Sequence, residues 1–151
     1  MSAPLTPAEV TAWRSVLLAA DVLRFRVSAE IRPRTGLSPA EHSVLIHLDE
    51  APDRRMGQRH LADELFWSKS RLSRQLTRMQ ARGLVSRTSD GAAPGVQVTL
   101  TDAGLEAIRA AAPVHADAVR RHLIAAASAD ELAAIARLAE RLLGDASRRE
   151  S

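Results

Sequence analysis

The sequence predicts a mainly α-helical fold with one small β-hairpin, and two kinds of local signal lead to this prediction. Capping boxes mark three helix starts, at "TPAE" (6–9), "SPAE" (38–41) and "SADE" (128–131), because a hydroxyl and a carboxylate three residues apart satisfy free backbone N–H groups. The apolar period then changes from about 3.6 to about 2 at 96–100, where three apolar residues alternate with polar ones.

Residues that begin or stop a helix set the boundaries of the helical segments. Pro33 and Gly36 end the first helix, because proline cannot continue a helix and glycine provides a turn. Ser68 opens the fourth helix, Thr101 caps the fifth, and Pro113 interrupts the fifth. The predicted helices cover 7–31, 39–49, 57–65, 68–82, 102–124 and 129–143, and the segment 50–57 is predicted as a loop.

The hairpin is predicted over 84–100, with a Gly/Pro-rich tip from Asp90 to Gly95. It follows the fourth helix directly, after a natural stop at Gly83. Before that helix stand Phe66 and Trp67, which we expect to anchor it to the core.

Composition excludes several classes of function. The chain of 151 residues contains no cysteine, which rules out disulfides, thiolate metal sites and thiol redox sensing. Its first residues do not resemble a secretory signal, and no apolar run approaches the roughly 20 residues of a membrane span. A cytoplasmic protein that does not contact membranes is therefore expected.

Positive charge is concentrated in one segment. Between Arg54 and Arg87 there are nine cations and two carboxylates, a net charge of +7, whereas the rest of the chain holds twelve cations and sixteen carboxylates, a net charge of −4. Such a local field favours a polyanionic partner over a small substrate.

The fourth helix carries much of this charge on one face. At about 100° per residue, Leu72, Leu76 and Met79 form an inner stripe, and arginines fall in another arc. Arginine and short polar side chains can bind base edges and phosphates in the major groove of DNA. The predicted DNA contacts are Ser68, Lys69, Ser70, Arg71, Ser73, Arg74, Gln75, Thr77, Arg78 and, from the hairpin, Arg87; Arg82 belongs to the same arc. The alternative is a solvated face of a basic protein.

A short helix, a tight connection, a polar-faced helix and a hairpin together make a winged helix-turn-helix. The segments "LSPAEHSVLIHL", "LADELFWSKSRLSRQLTRMQARGLVSR" and "VQVTLTDAG" resemble the MarR family of bacterial transcriptional regulators over about residues 10–143. The resemblance implies one domain over 1–151, with a DNA-binding lobe at 36–104 and dimerisation helices at 7–35 and 105–147. It also implies a homodimer on an inverted-repeat operator of double-stranded DNA, and a repressor released by a small aromatic or phenolic ligand.

The hairpin departs from the family pattern. Its tip reads "DGAAPG", and no arginine lies between Arg87 and Arg109, although members of the family usually carry an arginine beside the aspartate that Asp90 matches. Either Arg87 and the backbone make the minor-groove contact of the wing instead, or DNA binding is weaker and rests on the fourth helix.

The remaining candidates concern ligands. By the resemblance His42 lies near the effector cavity, and His115 follows Pro113, so both are candidate ligand contacts; Trp13 is a dimer-core aromatic or a cap for that cavity. For each histidine the simpler interpretation is a partly buried structural residue. Histidine pairs within one helix are spaced five and seven apart, unlike the three or four that metal ligands prefer, so no metal or cofactor is expected.

No catalytic motif is present, so an enzyme is not expected. Two further alternatives stay open. The chain could be a ligand- or partner-binding dimer that has lost specific DNA binding, or a nucleoid or RNA binder indifferent to sequence.

Overall fold

The computed structural model describes residues 3–89, 91 and 94–148, and it confirms the predicted fold class. Within these residues, six α-helices accompany a small antiparallel sheet. The elements in chain order are α1 (Pro7–Thr35), α2 (Pro39–Glu50), β1 (Arg55–Gly57), α3 (Gln58–Glu64), α4 (Lys69–Ala81), β2 (Val85–Thr88), β3 (Gln97–Leu100), α5 (Asp102–His122) and α6 (Ala129–Arg148). Among the described residues, no helix combines the length and apolar character that crossing a membrane requires.

The capping boxes form as predicted. At the start of α2, the Glu41 N–H donates to the Ser38 hydroxyl at 3.2 Å, and the Ser38 N–H donates to the Glu41 carboxylate at 2.8 Å. Matching pairs of hydrogen bonds begin α1 and α6. Local hydrogen bonding within four residues thus determines where these helices start.

The first helix is longer than predicted. It continues through Pro33 to Thr35, because a proline in the last turn removes only one hydrogen bond. The helix ends at Gly36, whose φ of 71° is left-handed and whose N–H donates to the Arg32 carbonyl at 2.9 Å. The last helix also extends beyond the predicted residue 143, to Arg148.

The sheet contains a strand in a segment that was predicted as loop. Its order is β1-β3-β2, with Met56 of β1 opposite Val98 of β3 and Arg87 of β2 opposite the same residue. The three residues of β1 carry no alternating pattern, so their conformation comes from pairing with β3, some 40 residues later, rather than from local propensity.

The first residues of helix α5 pack closely against the hairpin that contains β2 and β3. A Cβ added to Gly104 would lie 2.1 Å from the Leu84 carbonyl oxygen and 2.8 Å from Leu100 Cδ1. Thr101 holds this junction, since its hydroxyl donates to the Gly83 carbonyl at 2.6 Å and accepts from the Gly104 N–H at 3.0 Å. The end of α4, the hairpin and the start of α5 are therefore joined through one hydroxyl.

The described residues divide into two compact units. One consists of residues 28–115, and its core is built from the apolar residues of α2, α3, α4 and the sheet; Val44, Leu45, Leu48, Leu61, Leu72, Leu76, Met79 and Val98 are all completely buried. The other consists of residues up to 27 and from 116 onwards. In this second unit large apolar side chains remain exposed, among them Trp13, Val16, Leu18, Phe25, Ile135, Leu138, Leu142 and Leu143.

Candidate nucleic-acid interface

One side of helix α4 packs against the core, and its opposite side exposes cations. Ser68 caps the helix by accepting the Arg71 N–H at 3.2 Å. Leu72, Leu76 and Met79 are completely buried. Three guanidinium groups lie on the exposed side together with Lys69 and the hydroxyls of Ser70 and Thr77, and these guanidinium groups belong to Arg71, Arg74 and Arg78. We name this set of six residues the arginine face.

Trp67 supports the first of these arginines. The Arg71 guanidinium carbon lies 4.0 Å from the centre of the Trp67 ring, within the range of a cation–π interaction. This contact limits the directions that the Arg71 side chain can take. Sequence spacing did not predict this contact, because Trp67 precedes α4 and the four-residue rule applies to two residues of one helix.

The expectation that Phe66 anchors α4 is wrong. Its side chain is 80 % exposed, and its backbone φ is 53°. Residue 66 occupies the turn between α3 and α4, where the backbone geometry directs the side chain away from the core.

Gln75 does not belong to the exposed face, and its predicted place there is wrong. The side chain is 5 % exposed, and its carbonyl oxygen accepts a hydrogen bond from the Arg78 guanidinium. At about 100° per residue, position 75 lies only about 40° from Met79, next to the apolar stripe. Ser73 is half-buried, so it contributes less to the surface than predicted.

Arg82 is likewise engaged by the protein. Its guanidinium forms an ion pair with the Glu41 carboxylate of α2, whose side chain is only 7 % exposed. Burial alone would raise the pKa of Glu41, but hydrogen bonds from Ser38 and Arg82 outweigh burial and hold this pKa below the ordinary value of a carboxyl group. The ion pair fastens the end of α4 to α2.

Arg87 connects the wing to α4. From strand β2, its Nε donates to the Gln80 side-chain oxygen at 2.8 Å and a terminal nitrogen donates to the Thr77 hydroxyl at 3.1 Å. Its guanidinium therefore lies along the side of α4. Asp90, the other wing residue that the sequence singled out, lies outside the described residues.

Two of the three candidate ligand residues come together. His42 of α2 and His115 of α5 have ring centroids 5.0 Å apart. They line a cavity of about 270 Å³ with Ile46, Asp49, Glu50, Ile108, Arg109 and Ala112. Burial, with a smaller contribution from His115, lowers the pKa of His42 to about 4, so His42 is neutral at pH 7. Trp13 belongs to the other compact unit and is 59 % exposed.

The described residues contain no group of three or more side chains placed to hold a metal ion. His47, which the sequence paired with His42, instead lies with its Nδ1 2.8 Å from the Ser43 carbonyl oxygen. Spacing within one helix could not reveal the pair that does form, because that pair joins two helices about 70 residues apart in sequence.

Comparisons with known proteins agree with this architecture. A family model described as the MarR family matches residues 35–93. The crystal structure of AbsC, a MarR family transcriptional regulator from Streptomyces coelicolor, is 33 % identical and superposes with a TM-score of 0.84 over 97 % of this chain and 99 % of AbsC. Sco3205 from the same organism, solved in complex with DNA, is 28 % identical with a TM-score of 0.85, over 97 % of this chain and 91 % of Sco3205.

More distant structures share the fold alone. A mutant MarR from E. coli complexed with operator DNA is 20 % identical, with a TM-score of 0.78 over 93 % of this chain and 99 % of that protein. None of the curated proteins is significantly similar to the chain. Because the identity to AbsC extends over nearly the whole length of both proteins, the chain belongs to the MarR family, whose members are transcriptional regulators and not enzymes.

Proposed function

We propose that the protein regulates transcription by binding double-stranded DNA in a sequence-specific manner through the arginine face of α4. The observation that carries this proposal is the exposure of Arg71, Arg74 and Arg78 on one side of a helix whose other side is buried. A helix of this kind fits the major groove, where arginine binds guanine O6 and N7 with two hydrogen bonds. Sco3205 was solved in complex with DNA, which supports the same partner here.

The exposed apolar side chains of α1 and α6 support a homodimer. An isolated chain that exposes Trp13, Phe25 and Leu142 leaves an apolar surface of the kind that a second subunit covers. In this proposal 36–104 is the DNA-binding lobe, and 7–35 and 105–147 are the dimerisation helices. Two-fold symmetry then matches an inverted repeat with half-sites about one helical turn apart.

Control by a small ligand is the finer part of the proposal. The cavity beside His42 and His115 offers imidazole nitrogens and the Arg109 guanidinium to an aromatic acid or a phenol. A ligand that prefers one separation between the two α4 helices of the dimer shifts the protein towards that separation. A separation unsuited to successive major grooves releases DNA, which corresponds to a repressor that the ligand inactivates.

Gel-shift titration on the protein's own upstream region tests the DNA proposal. We expect retention at low salt that survives excess random competitor DNA, and we expect Arg74→Ala to lose it. Footprinting of the retained fragment should show a two-fold symmetric site. A protein with no preference for any fragment of its upstream region would contradict the proposal.

The second candidate function is a ligand- or partner-binding dimer without specific DNA binding. It is favoured by one observation, the absence of any lysine or arginine between Arg87 and Arg109, where the wing tip lies. It predicts that random DNA competes as well as the upstream region.

Sodium benzoate and phenol serve as ligand probes in either case, and we expect them to raise the melting temperature of the wild type but not of His115→Ala.

A further inference from the structure

The turn between α3 and α4 contains an aromatic side chain that the fold does not explain. The Phe66 N–H donates to the Asp63 carbonyl at 3.0 Å, and the Trp67 N–H donates to the Ala62 carbonyl at 2.9 Å. These two hydrogen bonds, following the cap at Leu65, form a Schellman motif. That motif requires a left-handed residue at position 66, usually glycine, and Phe66 has a φ of 53°.

Phenylalanine is unfavourable here on two counts. A side chain with a Cβ is disfavoured in the left-handed region, which glycine occupies freely. The ring is also 80 % exposed to water, so it gains little from burial within the chain. The turn itself would be at least as well served by glycine, which means that the phenyl group contributes through something other than folding.

The surroundings of Phe66 indicate DNA as the partner that covers it. Phe66 is two residues before the cap of α4, at the end of the helix where Lys69, Ser70 and Arg71 are exposed. A protein partner would have to desolvate these polar and charged groups, whereas phosphates and base edges pair with them. Within a major groove, the apolar feature available to a phenyl ring is the C5 methyl group of thymine.

We propose that Phe66 contacts a thymine methyl group in each operator half-site and so adds a T-specific reading to the arginine face. This inference rests on the proposed DNA-binding function. The contact lies at the start of α4, next to Arg71, which the Trp67 ring positions. Covering one methyl-sized group accounts for about fourfold in affinity per contact.

Operators with single thymine-to-uracil replacements test the proposal, because uracil lacks only the C5 methyl group. We expect the wild type to lose about fourfold in affinity at one thymine of each half-site. Phe66→Asn, which keeps a residue tolerant of the left-handed conformation, should bind more weakly and be insensitive to that replacement. Leu5→Asn removes another exposed apolar side chain elsewhere in the chain (60 % exposed) and should behave as the wild type.

Thermal melting separates contact from folding. Phe66→Asn and Phe66→Gly should melt at the wild-type temperature or up to about 4 °C above it, and a clear fall would overturn the inference. Weaker binding by Phe66→Asn with an unchanged uracil profile would overturn the thymine contact and assign the ring to the sugar–phosphate backbone. If both Phe66 variants bind the operator as tightly as the wild type does, this inference alone is overturned. If the wild type binds no DNA fragment, the inference is overturned together with the proposed function.

Discussion

Replacing Arg82 by alanine should cost stability and not DNA recognition, although this residue shares the helical arc of the exposed arginines. The substitution removes the partner of Glu41, whose side chain is 7 % exposed, while Arg82 itself is 48 % exposed. Leaving a buried charged acceptor without one partner costs about 1–3 kcal/mol. Because water reaches the Arg82 side of the pair, the lower part of that range, about 1–2 kcal/mol, is expected. For a chain of this size the melting temperature should fall by about 2–8 °C.

Arg74→Ala is the matched comparison, since it removes the same side chain from the same helix. Arg74 is exposed, so its loss should change the unfolding free energy by no more than about 0.5 kcal/mol. If Arg74 reads a base, operator affinity should fall by about 1–3 kcal/mol, which is roughly 5- to 150-fold. Arg82→Ala should therefore lower the melting temperature without changing operator affinity, whereas Arg74→Ala should lower operator affinity without changing the melting temperature.

Thermal melting followed by circular dichroism, and fluorescence anisotropy with labelled operator, provide these measurements. Glu41→Gln combined with Arg82→Ala completes a double-mutant cycle, and the double variant should lose less than the sum of the two single losses. If Arg82→Ala weakened operator binding at an unchanged melting temperature, Arg82 would face DNA and the assignment of the ion pair to stability would be refuted.

Three further outcomes are expected. Gly104→Ala should lower the unfolding free energy by about 3 kcal/mol in urea denaturation, because the new Cβ meets the Leu84 carbonyl oxygen; wild-type stability would contradict the packing. Burial and His115 lower the pKa of His42 to about 4 in the folded protein, below the roughly 6.5 of an unfolded chain. The unfolding free energy should therefore be highest above about pH 6.5 and should decrease as the pH falls towards 4. Urea denaturation midpoints measured against pH should show this decrease in the unfolding free energy. His42→Asn should make the decrease smaller, while Arg109, Asp49 and Glu50 of the same cavity are unchanged in that variant. Trp67→Leu should weaken operator binding by about two- to fivefold through loss of a cation–π contact of about 0.5–1 kcal/mol; an unchanged affinity would mean that the contact does not position Arg71.

Helix starts and the arginine face could be predicted because their signals are local. A capping box such as that of Ser38 and Glu41 is complete within four residues, and the stripe of Leu72, Leu76 and Met79 fixes which side of α4 is buried. Strand β1 could not be predicted in this way, because Arg55–Gly57 becomes a strand only by pairing with β3. Its conformation is decided by a distant partner.

Assignments that depend on a few tens of degrees around a helix were less secure. Around the axis of α4, Gln75 and Arg82 lie at the edges of the predicted polar arc. Gln75 accepts a hydrogen bond from Arg78, and Arg82 forms an ion pair with Glu41. The left-handed turn at Phe66 was missed because phenylalanine gives no signal for it, whereas glycine would have done.

The ion pairs of the basic segment also change what its net charge means. Counted along the sequence, the cations from Arg54 to Arg87 have almost no opposing charge, yet Asp49 of α2 pairs with Arg54 at 3.3 Å and Glu41 of α2 pairs with Arg82. Both carboxylates precede the segment, so only folding brings them to it. These two pairs neutralise part of the positive charge of the segment, and neither pair involves a residue of the arginine face. Fewer free cations outside that face would weaken the sequence-independent attraction to phosphate, so the base contacts proposed for the arginine face would account for more of the discrimination between operator and other DNA.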